Sequence, residues 1–113
     1  MVGTNKERMN SNIDWTIAIS TTTSDAIDVS EWNGGSYQMP AAFTGTAATF
    51  SGSIDNVTFD LIQTTALADR SSDTVGVNQV NPMPPEAFNY RYLKFISGST
   101  ETAARTIKVF LKG

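Results

Sequence analysis

Alternation of apolar with polar residues is the feature that most limits what this chain can fold into. Ile13, Trp15, Ile17 and Ile19 alternate with Asp14, Thr16, Ala18 and Ser20, which sets four apolar side chains on one face of a strand and leaves no helical stripe. The pattern returns at Ile27 and Val29, at Ala48 and Phe50, at Val57, Phe59 and Leu61, at Leu93 and Phe95, and at Ile107, Val109 and Leu111. Turn-forming runs separate these segments: Thr21-Thr22-Thr23-Ser24, Asp55-Asn56 and Gly98-Ser99-Thr100-Glu101. Glu31-Trp32-Asn33-Gly34-Gly35 reads as a loop, since Asn-Gly-Gly reaches positive φ at little cost. Ser36 to Met39 is a short extended stretch that Pro40 confines to an edge or a strand end. Residues 64–73 read as loop, and Val75 with Val77 marks a weak strand. Residues 81–85 hold Pro82, Pro84 and Pro85 and cannot be sheet interior, because each proline removes a donor.

About eight short strands with no convincing helix predict an all-β protein, an antiparallel β-sandwich of eight-stranded, jelly-roll-like form. The inward set is Trp15, Ile17, Ile19, Ile27, Phe50, Phe59, Leu61, Leu93, Phe95, Ile107 and Val109. At 113 residues the chain has room for one such domain, expected over residues 12–113. Residues 1–11 carry Lys6, Glu7 and Arg8 without hydrophobic periodicity and are expected to form a flexible N-terminal arm that a partner orders.

The composition narrows the chemistry. With no histidine and no cysteine, the commonest general base, the commonest metal ligand and any thiolate site are missing. A Ser–Lys nucleophile would need Lys6, Lys94, Lys108 or Lys112, and the last three fall on outward strand positions where a solvated amine stays protonated. Three carboxylate pairs stand out: Asp25 with Asp28, Asp55 with Asp60, and Asp69 with Asp73. None has the spacing of a calcium loop. Asp55 and Asp60 are the preferred pair for a cation, but solvated loop carboxylates are the plainer reading, and no metal or cofactor is expected. Gly34-Gly35 lacks the helix and the lysine of a phosphate loop, and Asn56-Val57-Thr58 matches a glycosylation sequon by accident. Tyr37, Tyr90, Tyr92, Trp32 and Phe88 are an aromatic set that serves either as a sugar platform or, more simply, as cover for the sandwich ends or a subunit contact. The net charge of −3 argues against a nucleic-acid or anionic membrane partner. The start of the chain lacks a secretory apolar run and, with Val2, a myristoylation site, so a soluble, unprocessed protein is expected. An enzyme is not.

Two blocks carry a family resemblance. Residues 16–29 and 39–50, the latter reading Met39-Pro40-Ala41-Ala42-Phe43-Thr44-Gly45-Thr46-Ala47-Ala48-Thr49-Phe50, form the first. Residues 91–105, from Arg91-Tyr92-Leu93-Lys94-Phe95 through Ser97-Gly98-Ser99-Thr100-Glu101 to Arg105, form the second. Together they resemble a group of small structural proteins of tailed-bacteriophage virions. The similarity extends over most of residues 16–111 and is poor between Ile62 and Glu86. The chain departs from the group at Asp55-Asn56, where the group tends to have Asp-Gly, and at 32–37, where it is commonly more apolar. The resemblance implies a head decoration or cement protein of a short-tailed phage, made in the host cytoplasm and bound outside the capsid to the major capsid protein, with self-association into a homo-oligomer on the shell. A carbohydrate-binding or host-adhesion module of the virion is the alternative. On the cement reading the candidate contacts are Lys6, Glu7 and Arg8 in the arm, Tyr37, Met39 and Pro40 at a strand end, and Pro82, Met83 and Pro84 in the proline-rich segment.

Overall fold

The computed structural model describes residues 10–64 and 68–113. Among the described residues nine strands follow in order: β1 (Asn10–Ile17), β2 (Ile27–Asp28), β3 (Gly34–Gln38), β4 (Ala47–Ser53), β5 (Asp60–Leu61), β6 (Asp73–Thr74), β7 (Val80–Pro82), β8 (Tyr92–Ser97) and β9 (Arg105–Lys112). They form two sheets, one ordered β1-β9-β3-β7 and the other β2-β8-β4-β5, with β6 also pairing β4. Every pairing is antiparallel. The sheets pack face to face as a sandwich, so the all-β expectation holds. A 3₁₀ turn at Pro85–Asn89, started by the fixed φ of Pro85, is an element the alternation pattern could not announce.

Register explains the core. Trp15 lies opposite Ile107, Ile13 opposite Val109, and Tyr37 opposite Val109 on the other side of β9. In the second sheet Phe50 faces Phe95 and Ile27 faces Leu93. Trp15, Tyr37, Phe50 and Phe95 meet between the sheets with ring centroids 5.5–6.3 Å apart, in tilted and edge-on arrangements that suit the ring quadrupoles. Trp15 is fully buried, and its Nε1–H donates to the Leu93 carbonyl at 3.0 Å. That bond ties one sheet to the other and leaves the indole nitrogen satisfied.

Several expectations need correction. Ile19 is 59% exposed, because β1 stops at Ile17 and Ser20 turns the chain at φ 65. In β5, Leu61 lies opposite Ser51 while the Ile62 N–H bonds to the Phe50 carbonyl. The inward residue is therefore Ile62, and Val57, Phe59 and Leu61 belong to the other face; a one-residue shift reverses every side chain. Gly34 and Gly35 open β3 rather than a loop, and no glycine among the described residues has positive φ. Gly35 is required by close approach, since a Cβ there would strike the Phe110 carbonyl of β9. β1 begins at Asn10, two residues inside the expected arm. Lys6, Glu7 and Arg8 lie outside the described residues.

Candidate functional site

Four of the five aromatic residues are taken up in packing, and Tyr92 is half-buried with the Arg91 guanidinium 5.2 Å from its ring centre. Tyr37 is 1% exposed, and burial, with Asp73 nearby, pushes its hydroxyl up to about 12. Trp32, Phe88 and Tyr90 are half-buried and pack against the core. The Tyr90 ring lies over Gly52, where a Cβ would come within 2.5 Å of it, and its hydroxyl accepts the Gln63 N–H at 3.1 Å. Of the strand-end and proline-rich contacts, Met39 and Met83 are core residues and Pro84 is buried, whereas Pro40 is half-buried and Pro82 exposed. Tyr37, Met39 and Met83 thus spend their apolar surface inside the monomer. Prolines and aromatics look like contact residues in a sequence and fill sandwich ends equally well.

The carboxylates are bound up in local structure. Asp25 Oδ1 accepts the Thr16 N–H at 2.8 Å. Asp28 accepts the N–H and hydroxyl of Ser30, bonds that, with Arg91 near by, hold its carboxyl below the ordinary range. Asp69 accepts from Gln63 and Asp73 pairs with Arg70. Asp55 and Asp60 line one trough of about 760 Å³, but Asp55 Oδ1 already serves its own turn. Among the described residues no three metal-ligating side chains converge.

Sequence reading missed Glu101, the one acidic side chain buried completely among the described residues. Its Oε1 accepts the Thr44 N–H at 2.9 Å and Arg105 Nε at 2.8 Å. Its Oε2 accepts the Gly45 N–H at 3.0 Å and the Ser97 hydroxyl at 2.7 Å. Burial by itself would raise its pKa, yet these four donors hold it below the ordinary glutamate value. Thr44 and Gly45 come from the first resemblance block, and Ser97, Glu101 and Arg105 from the second. The two blocks meet on this carboxylate, which is a structural lock and not a reactive group.

The surface feature that does stand out is the tip of the β4–β5 hairpin. Ile54 and Val57 are 79% and 81% exposed, the most exposed large apolar residues in the molecule as described. They flank a turn wired by five hydrogen bonds. Ser53 Oγ donates to Asp55 Oδ1 and accepts from the N–H groups of Asp55 and Asn56, while Asp55 Oδ1 accepts from those of Val57 and Thr58. The bonds from the Thr58 and Val57 N–H groups and the Ser53 hydroxyl pull the Asp55 carboxyl down to about 2. Asn56 sits at φ 61, in the left-handed region that Asn tolerates better than most residues. Just beyond, Phe59 folds back over the outer face of the second sheet, with Lys94 Nζ 4.2 Å from its ring centre. The turn is thus fixed in the monomer while its two apolar side chains stand in water. Fixed geometry with uncovered apolar surface is what a docking contact requires, since little entropy is lost on binding.

Fold and surface together define a small antiparallel β-sandwich domain locked by internal hydrogen bonds and offering a preformed apolar tip. The same architecture occurs in a phage-derived protein, the SPBc2 prophage-derived protein YomS. The two superpose with a TM-score of 0.66 over 94% of this chain and 95% of that one, at 13% sequence identity. No protein-family model and no curated protein matches the sequence.

Proposed function

We propose that this chain is a non-catalytic structural protein of a tailed-phage virion, which binds the outside of the head and cements neighbouring copies of the major capsid protein. The observation that carries the reading is the rigid β4–β5 tip. Burying Ile54 and Val57 completely contributes about 3–5 kcal/mol, so a single contact, after its entropic cost, is on the order of millimolar or weaker. A cement protein tolerates weak contacts, because a lattice engages several patches and many copies at once. The phage-derived fold and the two resemblance blocks support a place among virion proteins. Strand order supports the finer jelly-roll reading. With the two-residue β6 left aside, the sheets run first-eighth-third-sixth and second-seventh-fourth-fifth, the order produced by rolling one long antiparallel hairpin into two layers.

The test is add-back to heads that lack the protein. Wild-type chain should bind in numbers comparable to the major capsid protein and raise the temperature at which the heads release DNA. A variant carrying Ile54→Asp and Val57→Asp should fold normally and fail to bind. Undiminished binding by that variant would remove the tip from the interface. Heads no weaker without the protein than with it would defeat the cement role.

A further inference from the structure

A β-sandwich exposes strand edges, and most edges among the described residues are blunted. β2, β5 and β6 are two residues long, and β7 carries Pro82, whose ring nitrogen points away from β3. β1 is different: eight residues, paired with β9 on one side only, and free of proline and lysine. The direction of its backbone groups follows from its two ends. Thr16 turns its N–H and C=O away from β9, where the N–H bonds to Asp25 Oδ1 and the C=O accepts the Asp25 N–H. Successive residues alternate, so Asn10, Asn12 and Asp14 direct their donors and acceptors the same way. At Thr16 the edge is capped; from Asn10 to Asp14 no described segment covers it.

We infer that two copies of this chain pair antiparallel through their β1 edges, across a twofold axis at Asn12, to form one continuous eight-stranded sheet. The occupant is set by symmetry and charge. The free stretch has its three outward residues at 10, 12 and 14, centred on 12. A second copy placed on a twofold there matches Asn12 with Asn12 and Asn10 with Asp14, and all six donors find acceptors. Charges fit the same register. Asp14 falls opposite uncharged Asn10, in a row that continues on one side to Lys112 of the second copy and on the other to Lys108 of its own, and no like charges are opposed. Ile13, at 37% exposure a partly uncovered residue on the core side of β1, gains cover at the seam. This pairing uses the sheet that lacks the β4–β5 tip and does not rest on the proposed shell contact.

The full-length chain provides the test, free of any particle. Sedimentation equilibrium should give a dimer. Asn12→Pro removes a donor that β9 does not use, a change edge strands accept, and should weaken dimerisation about thirty-fold or more with the near-ultraviolet spectrum of the buried Trp15 unchanged. The chain has no cysteine, so Asn12→Cys introduces the sole thiol. Hydrogen-bonded antiparallel neighbours lie about 5.5 Å apart at Cα, within disulfide reach. Mild oxidation should therefore link Asn12→Cys into dimers and leave Asp14→Cys, whose symmetry mates lie several residues apart, unlinked. A wild-type chain that stays monomeric at high concentration overturns the inference. So does equal cross-linking at both positions, or an Asn12→Pro variant that dimerises like wild type.

Discussion

Glu101→Ala tests most directly how this sandwich is held closed. The substitution removes one carboxylate and leaves four donors behind: the N–H groups of Thr44 and Gly45, the Ser97 hydroxyl and Arg105 Nε. Ser97 and Gly45 are buried, and the Arg105 side chain is only 13% exposed. Each buried polar group left without a partner costs about 1–3 kcal/mol. Water entering the vacated space recovers part of that. A net loss of about 3–5 kcal/mol results, the range for removing one member of a buried ion pair. An unfolding entropy of about 2.1 cal/mol/K per residue turns this into a fall in Tm of about 12–20 °C for a chain of this length. Thermal denaturation followed by the fluorescence of Trp15 and Trp32 measures it. Glu101→Gln keeps the shape but puts an amide donor where a carboxylate oxygen accepted, and should lose less. The pH dependence adds a sign. Because the folded-state pKa lies below the ordinary value of 4.5, the carboxylate stabilises fully above that value and its contribution disappears as pH falls through the folded value. The gap between wild type and Glu101→Gln should be full at neutral pH and close in acid. An alanine variant melting within a few degrees of wild type would refute the lock.

Two further outcomes follow from the core and the turn. Trp15→Ala empties the centre of the aromatic cluster and removes the indole donor to the Leu93 carbonyl; a loss of about 3–5 kcal/mol, much of a small domain's total, should appear as a largely unfolded chain in denaturant titration at neutral pH. Asp55 is held at about 2 by the Thr58 and Val57 N–H groups and the Ser53 hydroxyl, so amide exchange should find Val57 and Thr58 protected above the ordinary aspartate value of 3.8 and released as pH drops towards about 2.

The sandwich was legible in the sequence because its central strands obey period two without interruption: Trp15 and Ile17, Leu93 and Phe95, and Ile107, Val109 and Leu111 all sit where alternation places them. It failed where strands are short. With two residues, β5 has no alternation of its own, and the outward run Val57, Phe59, Leu61 imitated an inward face while Ile62 took the core position. The buried Glu101 was hidden for another reason. A glutamate in a Gly-Ser-Thr turn reads as solvated, and the donors that enclose it lie 56 and 57 residues away at Gly45 and Thr44, a convergence that only the paired β4 and β8 create. Asn56 at positive φ was readable, because turn chemistry is local. Tyr37 and Met39 were not, since a short strand ending in proline says nothing about what packs beneath it.

What makes the chain resemble virion proteins and what would let it bind a particular partner reside in different residues. The resemblance blocks supply Thr44, Gly45, Ser97, Glu101 and Arg105, whose hydrogen bonds close the fold on itself and present no chemistry to the outside. The exposed tip lies between those blocks, at Ile54 and Val57 around Asp55-Asn56, where this chain departs from the group. Such a division has a physical basis. A change at Glu101 is felt by the whole domain because buried polar groups must find partners. A change at Ile54 or Val57 leaves the turn's five hydrogen bonds in place and alters only the surface on offer, which shifts stability by no more than about 0.5 kcal/mol. On the proposed cement role, the same scaffold would be fitted to different shells by replacing two side chains on a turn that keeps its shape.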